Sequence, residues 1–175
     1  MSTVTPEYQV LKKEGSIEHR HYPSLLIAKV TVTGDRKQAA NAGFQQLAGY
    51  IFGENQTSSG QAEKIAMTAP VLQRPLSDNQ WEIQFVMPAS YTLDTLPQAK
   101  NTAIQFEALT DMQAVVIRFS GRTSTTLLAK KHRQLKTYLE QHAIQTMGQV
   151  CYAFYNPPWT LPLLRRNEIL YWTQS

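Results

Sequence analysis

The sequence predicts a duplicated α+β domain, with antiparallel strands and one helix in each half. Three observations lead there. Period-two alternation of apolar residues recurs along the chain, cleanest at Trp81, Ile83, Phe85 and Met87. Two stretches of helical spacing interrupt it, and a glycine precedes each, Gly34 and Gly121. A shift of 87 residues then superimposes the punctuation: Gly34 falls on Gly121, Pro70 on Pro157, Val30 and Val32 on Ile117 and Phe119, and Ile83 and Phe85 on Leu170 and Trp172. Each copy reads strand, strand, helix, strand, strand, over about 8–88 and 101–174. That period is too long for a solenoid. One domain over 1–175 fits, with a helix from each half packed on antiparallel strands under pseudo-twofold symmetry.

The elements follow in order. Tyr8 to Leu11 and Ile17 to Tyr22 pair about a turn at Glu14-Gly15-Ser16. Pro23-Ser24 breaks the pattern, and Leu25 to Thr33 is a β-branched, apolar strand. Asp35 is a good N-cap with Gln38 three residues on, close to a capping box. The helix runs to about Ile51, and Ala40, Gly43, Phe44, Leu47, Ala48 and Ile51 form a thin apolar stripe. Lys64 to Val71 alternates with Ile65, Met67, Ala69 and Val71 on one face, a strand that Pro70 ends or puts at an edge. Trp81 to Met87 is the next strand. Thr102 to Leu109 and Gln113 to Phe119 are two more, joined at Thr110-Asp111. A second helix spans about Ser124 to His142, with Leu128, His132, Leu135, Leu139 and His142 on one face. Val150 to Tyr155 is a strand, Asn156-Pro157-Pro158 forces an extended segment, and Ile169 to Thr173 closes the chain.

Composition narrows the function. Hydrophobic residues make up 42% and charged residues 17%, which is a folded chain with a core of its own. The net charge of +4 is spread along the sequence without the dense basic cluster of a nucleic-acid footprint, so no nucleic-acid partner is expected. A single cysteine, Cys151, excludes an internal disulfide and a cysteine-based zinc site. No apolar run reaches the roughly 20 residues of a membrane span, and the N-terminus lacks a signal-peptide core, so a cytoplasmic location is expected.

No G-x-G-x-x-G, Walker, H-E-x-x-H or G-x-S-x-G motif occurs, and no carboxylate pair is spaced for catalysis, so no catalytic residue is assigned. His19 and His21 share a strand face roughly 7 Å apart, a spacing that suits a metal or haem-iron ligand as well as two edge histidines facing water. Met67 brings a soft thioether, fit for a flat apolar ligand or for ordinary core filling. The run Tyr155 to Glu168 combines stiff prolines and Trp159 with Arg165 and Arg166, whose planar forks suit carboxylates or neighbouring carbonyls.

These segments together resemble the SOUL haem-binding protein family. The matching pieces are Glu18-His19-Arg20-His21-Tyr22-Pro23, Gly43-Phe44 with Leu47 to Gly53, Lys64-Ile65-Ala66-Met67-Thr68-Ala69-Pro70-Val71, Phe119-Ser120-Gly121, Tyr155-Asn156-Pro157-Pro158 and Arg165-Arg166-Asn167-Glu168. They span nearly the whole chain in order. The resemblance implies a distorted antiparallel β-barrel built from two βαββ-like halves with two helices. It also implies non-covalent haem or tetrapyrrole binding in a shallow apolar groove beside the first helix, in a carrier or buffer. Phe44, Leu47 and Ala48 match the groove face, with Met67 as further apolar wall. Lys64 and Arg165 or Arg166 are expected to meet propionates. His21 matches the histidine proposed as axial iron ligand in one branch of the family. The alternative on the same fold is a small-molecule hydrolase or effector-binding module. A hydrolase requires a buried carboxylate facing a tyrosine in the groove. A third possibility, protein contact through Pro157 to Leu164, requires an exposed apolar patch there.

Overall fold

β1 (Gln9–Glu14) and β2 (Ile17–Thr33) form the N-terminal antiparallel hairpin. Gly15 sits at its turn with φ +60°, a left-handed conformation that glycine adopts without a Cβ clash. The computed structural model describes residues 3–174. Next come α1 (Arg36–Ile51), β3 (Asn55–Gln56), β4 (Val71–Ser77), β5 (Gln80–Val86), β6 (Gln98–Ala99) and β7 (Gln105–Phe119). The chain then forms α2 (Thr125–Gln141), β8 (Thr146–Phe154), a 3-10 turn at Pro162–Leu164, and β9 (Asn167–Thr173). The fold class is α+β with antiparallel strand ladders, as the sequence predicts.

Two compact units divide the described residues. The first holds residues 3–6 and Ser24–Thr110, and the second holds Glu7–Pro23 and 111–174. In the first, the later half of β2 pairs with β5, Val30 opposite Ile83, and β5 pairs with β4, Phe85 opposite Val71. α1 packs its buried Ala39, Gly43, Leu47 and Ile51 toward the core that Ala28, Val30, Ile83 and Phe85 build. Gly43 permits that approach, because a Cβ there would stand 2.4 Å from Ile83 Cγ1. In the second unit, β9 lies between β7 and β8, with Val116 opposite Leu170 and Cys151 opposite Leu170 from the other side. Leu128, Leu135, Tyr138 and Leu139 of α2 close that core with Val115, Ile117 and Ile169.

Both helices start where the sequence places them, each on a capped residue. Asp35 accepts from the Gln38 backbone and the Gln38 side chain returns to Asp35, a complete capping box. Ser124 accepts from Leu127 N at 3.1 Å. Three sequence expectations need correction. β2 is one strand through Pro23-Ser24. Its partner changes from β1, paired up to His21, to β5, paired from Ile27, and Pro23 falls between the two pairings. β7 is likewise one strand, in which Asp111 takes φ +55° without breaking the run. Lys64 to Met67 is not in a ladder. It is extended chain, tied by Ile65 N to Ile51 O at 2.8 Å, and the strand begins after Pro70 instead of ending there.

Candidate functional site

In the first unit, α1 carries Phe44, Leu47 and Ala48. Leu47 is fully buried and Ala48 nearly so. Phe44, one turn earlier, is 41% exposed and sets its ring edge-on to Phe85, centroids 5.3 Å apart. Val71, opposite Phe85 in the β4–β5 ladder, is half-buried on the same face. Met67 is half-buried against the same core cluster. Thr68, its neighbour, is buried and donates to Val86 O, which anchors the segment that carries Met67. Lys64 is exposed and has no ion-pair partner among the described residues. Arg36, at the start of α1, donates to Gln73 Oε1 at 3.3 Å and adds a polar edge that sequence reading missed. Its position one residue after the N-cap was the available signal.

His21, Arg165 and Arg166 belong to the other unit, and each has partners there. His21 Nε2 lies 2.5 Å from Asp111 Oδ1. His19, on the same face of β2, meets the Tyr138 hydroxyl through Nε2 at 2.8 Å, and burial first, then the Lys12 charge, lowers its pKa. Both histidines are half-buried and each has a polar partner, His19 in Tyr138 and His21 in the exposed Asp111. His132 is built alike, on the Tyr171 hydroxyl at 2.7 Å. Arg165 spends its guanidinium on the carbonyls of Thr160 and Pro158. Arg166 pairs with Glu168, donates to the Tyr8 hydroxyl at 2.9 Å and stacks over the Tyr155 ring at 3.9 Å.

The densest polar arrangement was not legible as a site. Glu18, Arg20 and Tyr22 occupy the second face of β2, and that face is buried. Arg20 and Glu168 are both fully buried and joined by two bonds, 2.8 and 2.7 Å. Arg20 also pairs with Glu18 at 2.7 Å and donates to the Tyr22 hydroxyl at 3.0 Å. The Tyr155 hydroxyl donates to Glu168 Oε1 at 2.7 Å. Burial alone would raise the Glu168 pKa, but Arg20 and then Arg166 hold it below the usual carboxylate range. Burial pushes the Tyr22 phenol up to about 12 and raises Tyr155 further, with Glu168 adding to the latter. A buried glutamate does face a tyrosine here, as a hydrolase requires. Its oxygens, however, are already taken by three donor groups and it is held as an anion, so it is neither a poised base nor a proton donor. A second pair, Glu63 and Tyr91 at 3.1 Å, lies half-buried in the first unit. Among the described residues no group of three or more His, Cys, Asp or Glu is arranged to hold a metal ion, and no helix is long and apolar enough to cross a membrane.

Comparison with known proteins bears on what this surface serves. Mouse heme-binding protein 2 is 29% identical over 163 residues, 89% of this chain and 77% of that protein. Among solved structures, the EcmrR C-terminal domain superimposes with a TM-score of 0.66 at 10% identity, covering 96% of this chain and 98% of that one. A hydrolase from Listeria innocua gives 0.59 at 11% identity, over 92% and 93%. At such identities the last two show a shared fold and nothing of chemistry. The family model described as SOUL heme-binding protein matches residues 3–172. A match over almost every residue, joined to the motifs along the chain, identifies the protein as a member of the SOUL heme-binding protein family.

Proposed function

We propose that this protein binds haem or a related tetrapyrrole non-covalently, as a carrier or buffer, on the apolar surface beside α1. The observation that carries the reading is Phe44, a large aromatic left 41% exposed on a helix whose neighbouring apolar residues are buried. A porphyrin is flat, apolar and doubly carboxylated. Phe44, Val71 and the adaptable Met67 thioether suit its face, and the unpaired Lys64 suits a propionate. The Phe85 ring, edge-on at 5.3 Å, positions Phe44. Bound haem supplies iron as its reactive centre, and the chain's own contribution is an apolar seat. His21, the axial ligand that the family resemblance implied, lies in the other unit with Nε2 on Asp111 Oδ1, so the seat beside α1 is proposed without it and His21 is tested separately. Arg165 and Arg166 are engaged within their own unit, which leaves Lys64 as the main propionate contact.

Titrating hemin into the protein is expected to give a shifted Soret band that saturates near one equivalent. A weak rise without saturation overturns the proposal. Phe44→Glu is expected to weaken binding tenfold or more, about 1.4 kcal/mol. In His21→Ala, loss of a low-spin imidazole spectrum with affinity retained assigns the ligand. An unchanged spectrum removes His21 and leaves the apolar surface as the whole site.

A further inference from the structure

The segment between β8 and β9 presents four large apolar side chains to water within six positions. Trp159 is 82% exposed, Leu161 67%, Leu163 87% and Leu164 69%. The loop that carries them is held from within. Thr160 N donates to Pro157 O at 3.1 Å, Leu164 N to Leu161 O at 2.9 Å, and Arg165 Nε to Thr160 O at 2.8 Å. Pro157, Pro158 and Pro162 stiffen it further. The apolar tips are therefore displayed by a built frame, and their outward direction needs a reason.

Charge supplies one. The unit that carries the loop holds eleven Lys and Arg against six Asp and Glu, and the other holds six against seven. No Asp or Glu occurs in residues 112–139 or 141–167. Gly121 N donates to Pro162 O at 2.9 Å, which sets the exposed Arg122 beside the loop. A standard protein interface needs roughly 20–30 residues a side, far more than this run of six. A few apolar side chains plus basic attraction are enough for reversible attachment to a bilayer surface, and Trp favours that interfacial layer.

We propose that this loop is a membrane-surface contact, seating Trp159, Leu161, Leu163 and Leu164 in the interfacial layer of a bilayer that contains anionic lipid. The test is flotation with vesicles of phosphatidylcholine alone and with added phosphatidylserine, at low and high salt. The intact protein is expected to float with the anionic vesicles, less so at high salt, and its tryptophan emission to shift to the blue. Leu163→Glu with Leu164→Glu is expected to weaken partition tenfold or more. Trp159→Phe is expected to retain flotation and lose the shift. These positions are exposed, so circular dichroism and melting temperature should match the parent. Equal flotation of parent and double variant overturns the proposal, as does absence of flotation by the parent. So does self-association in solution that the double variant abolishes while vesicles are ignored, since the loop is then a protein contact.

Discussion

Arg20 and Glu168 are each fully buried. Loss of either removes only one charged partner from the other, since Arg20 keeps Glu18 and Glu168 keeps Arg166. Glu168→Gln is expected to lower stability by about 1–3 kcal/mol in urea unfolding, the range for a lost buried hydrogen bond to a charged group. Arg20→Met and Glu168→Leu are expected to be non-additive in the double variant, because the two side chains are in direct contact. The pH dependence has a defined sign. Glu168 has a depressed pKa, so its contribution is present above the ordinary carboxylate value and is lost as pH falls through the folded one. His19 and His132 are also depressed, chiefly by burial. Their contribution is full above the ordinary histidine value of about 6.5 and declines as pH falls below it. His19→Gln, which keeps a donor for Tyr138, is expected to flatten the stability curve between pH 7 and 5 in thermal melts. The neutral partners of these histidines were not legible, because Tyr138 lies 119 residues from His19. The burial of Arg20 was hidden for the same reason, since Glu168 lies 148 residues away.

At the scale of elements, signals confined to a few neighbouring residues read true. Asp35 with Gln38, Ser124, and the glycines before each helix place α1 and α2 to within a residue, since capping acts within one turn. Strand continuity read less well. Alternation in Lys64 to Met67 matches a ladder, but an extended chain needs a partner to become a strand, and periodicity carries no partner. Pro23 and Asp111 look like breaks only until it is known which of their backbone groups must pair. The contact of α1 with β5 rests on Gly43. Gly43→Ala gains up to about 1 kcal/mol of helix preference and drives a methyl into Ile83 Cγ1 and Cβ, a strain of about 1–3 kcal/mol. A lower melting temperature is expected, with hemin affinity reduced alongside if α1 carries the site. A higher melting temperature would mean that Ile83 yields without strain.

Over the whole chain, the sequence reads as two copies of strand, strand, helix, strand, strand from the offset of Gly34 on Gly121, and the membership of the two units was not legible. Glu7–Pro23 groups with the second half of the sequence, and within that unit Arg20 bonds both Glu18 and Glu168. The charge distribution also changes on folding. A net +4 that looks evenly spread becomes a basic unit and a nearly neutral one, because seven of the thirteen acids fall between Asp35 and Glu107. The expected propionate contacts divided the same way. Lys64 is exposed with no ion-pair partner among the described residues, and both arginines are consumed where they stand.

The pairing of Arg20 with Glu168 also orders events on the ribosome. A nascent chain carries Arg20 for 148 residues before its buried partner is translated. Until then the guanidinium has only Glu18 and Tyr22 close in sequence, too little to take it out of water. The segment Ser24–Thr110 faces no such wait, since β4 and β5 are complete long before the end. Stalled chains ending at Arg166 are therefore expected to show protease protection within 24–110 while Glu7–Pro23 is still cut, and full-length chains to protect both.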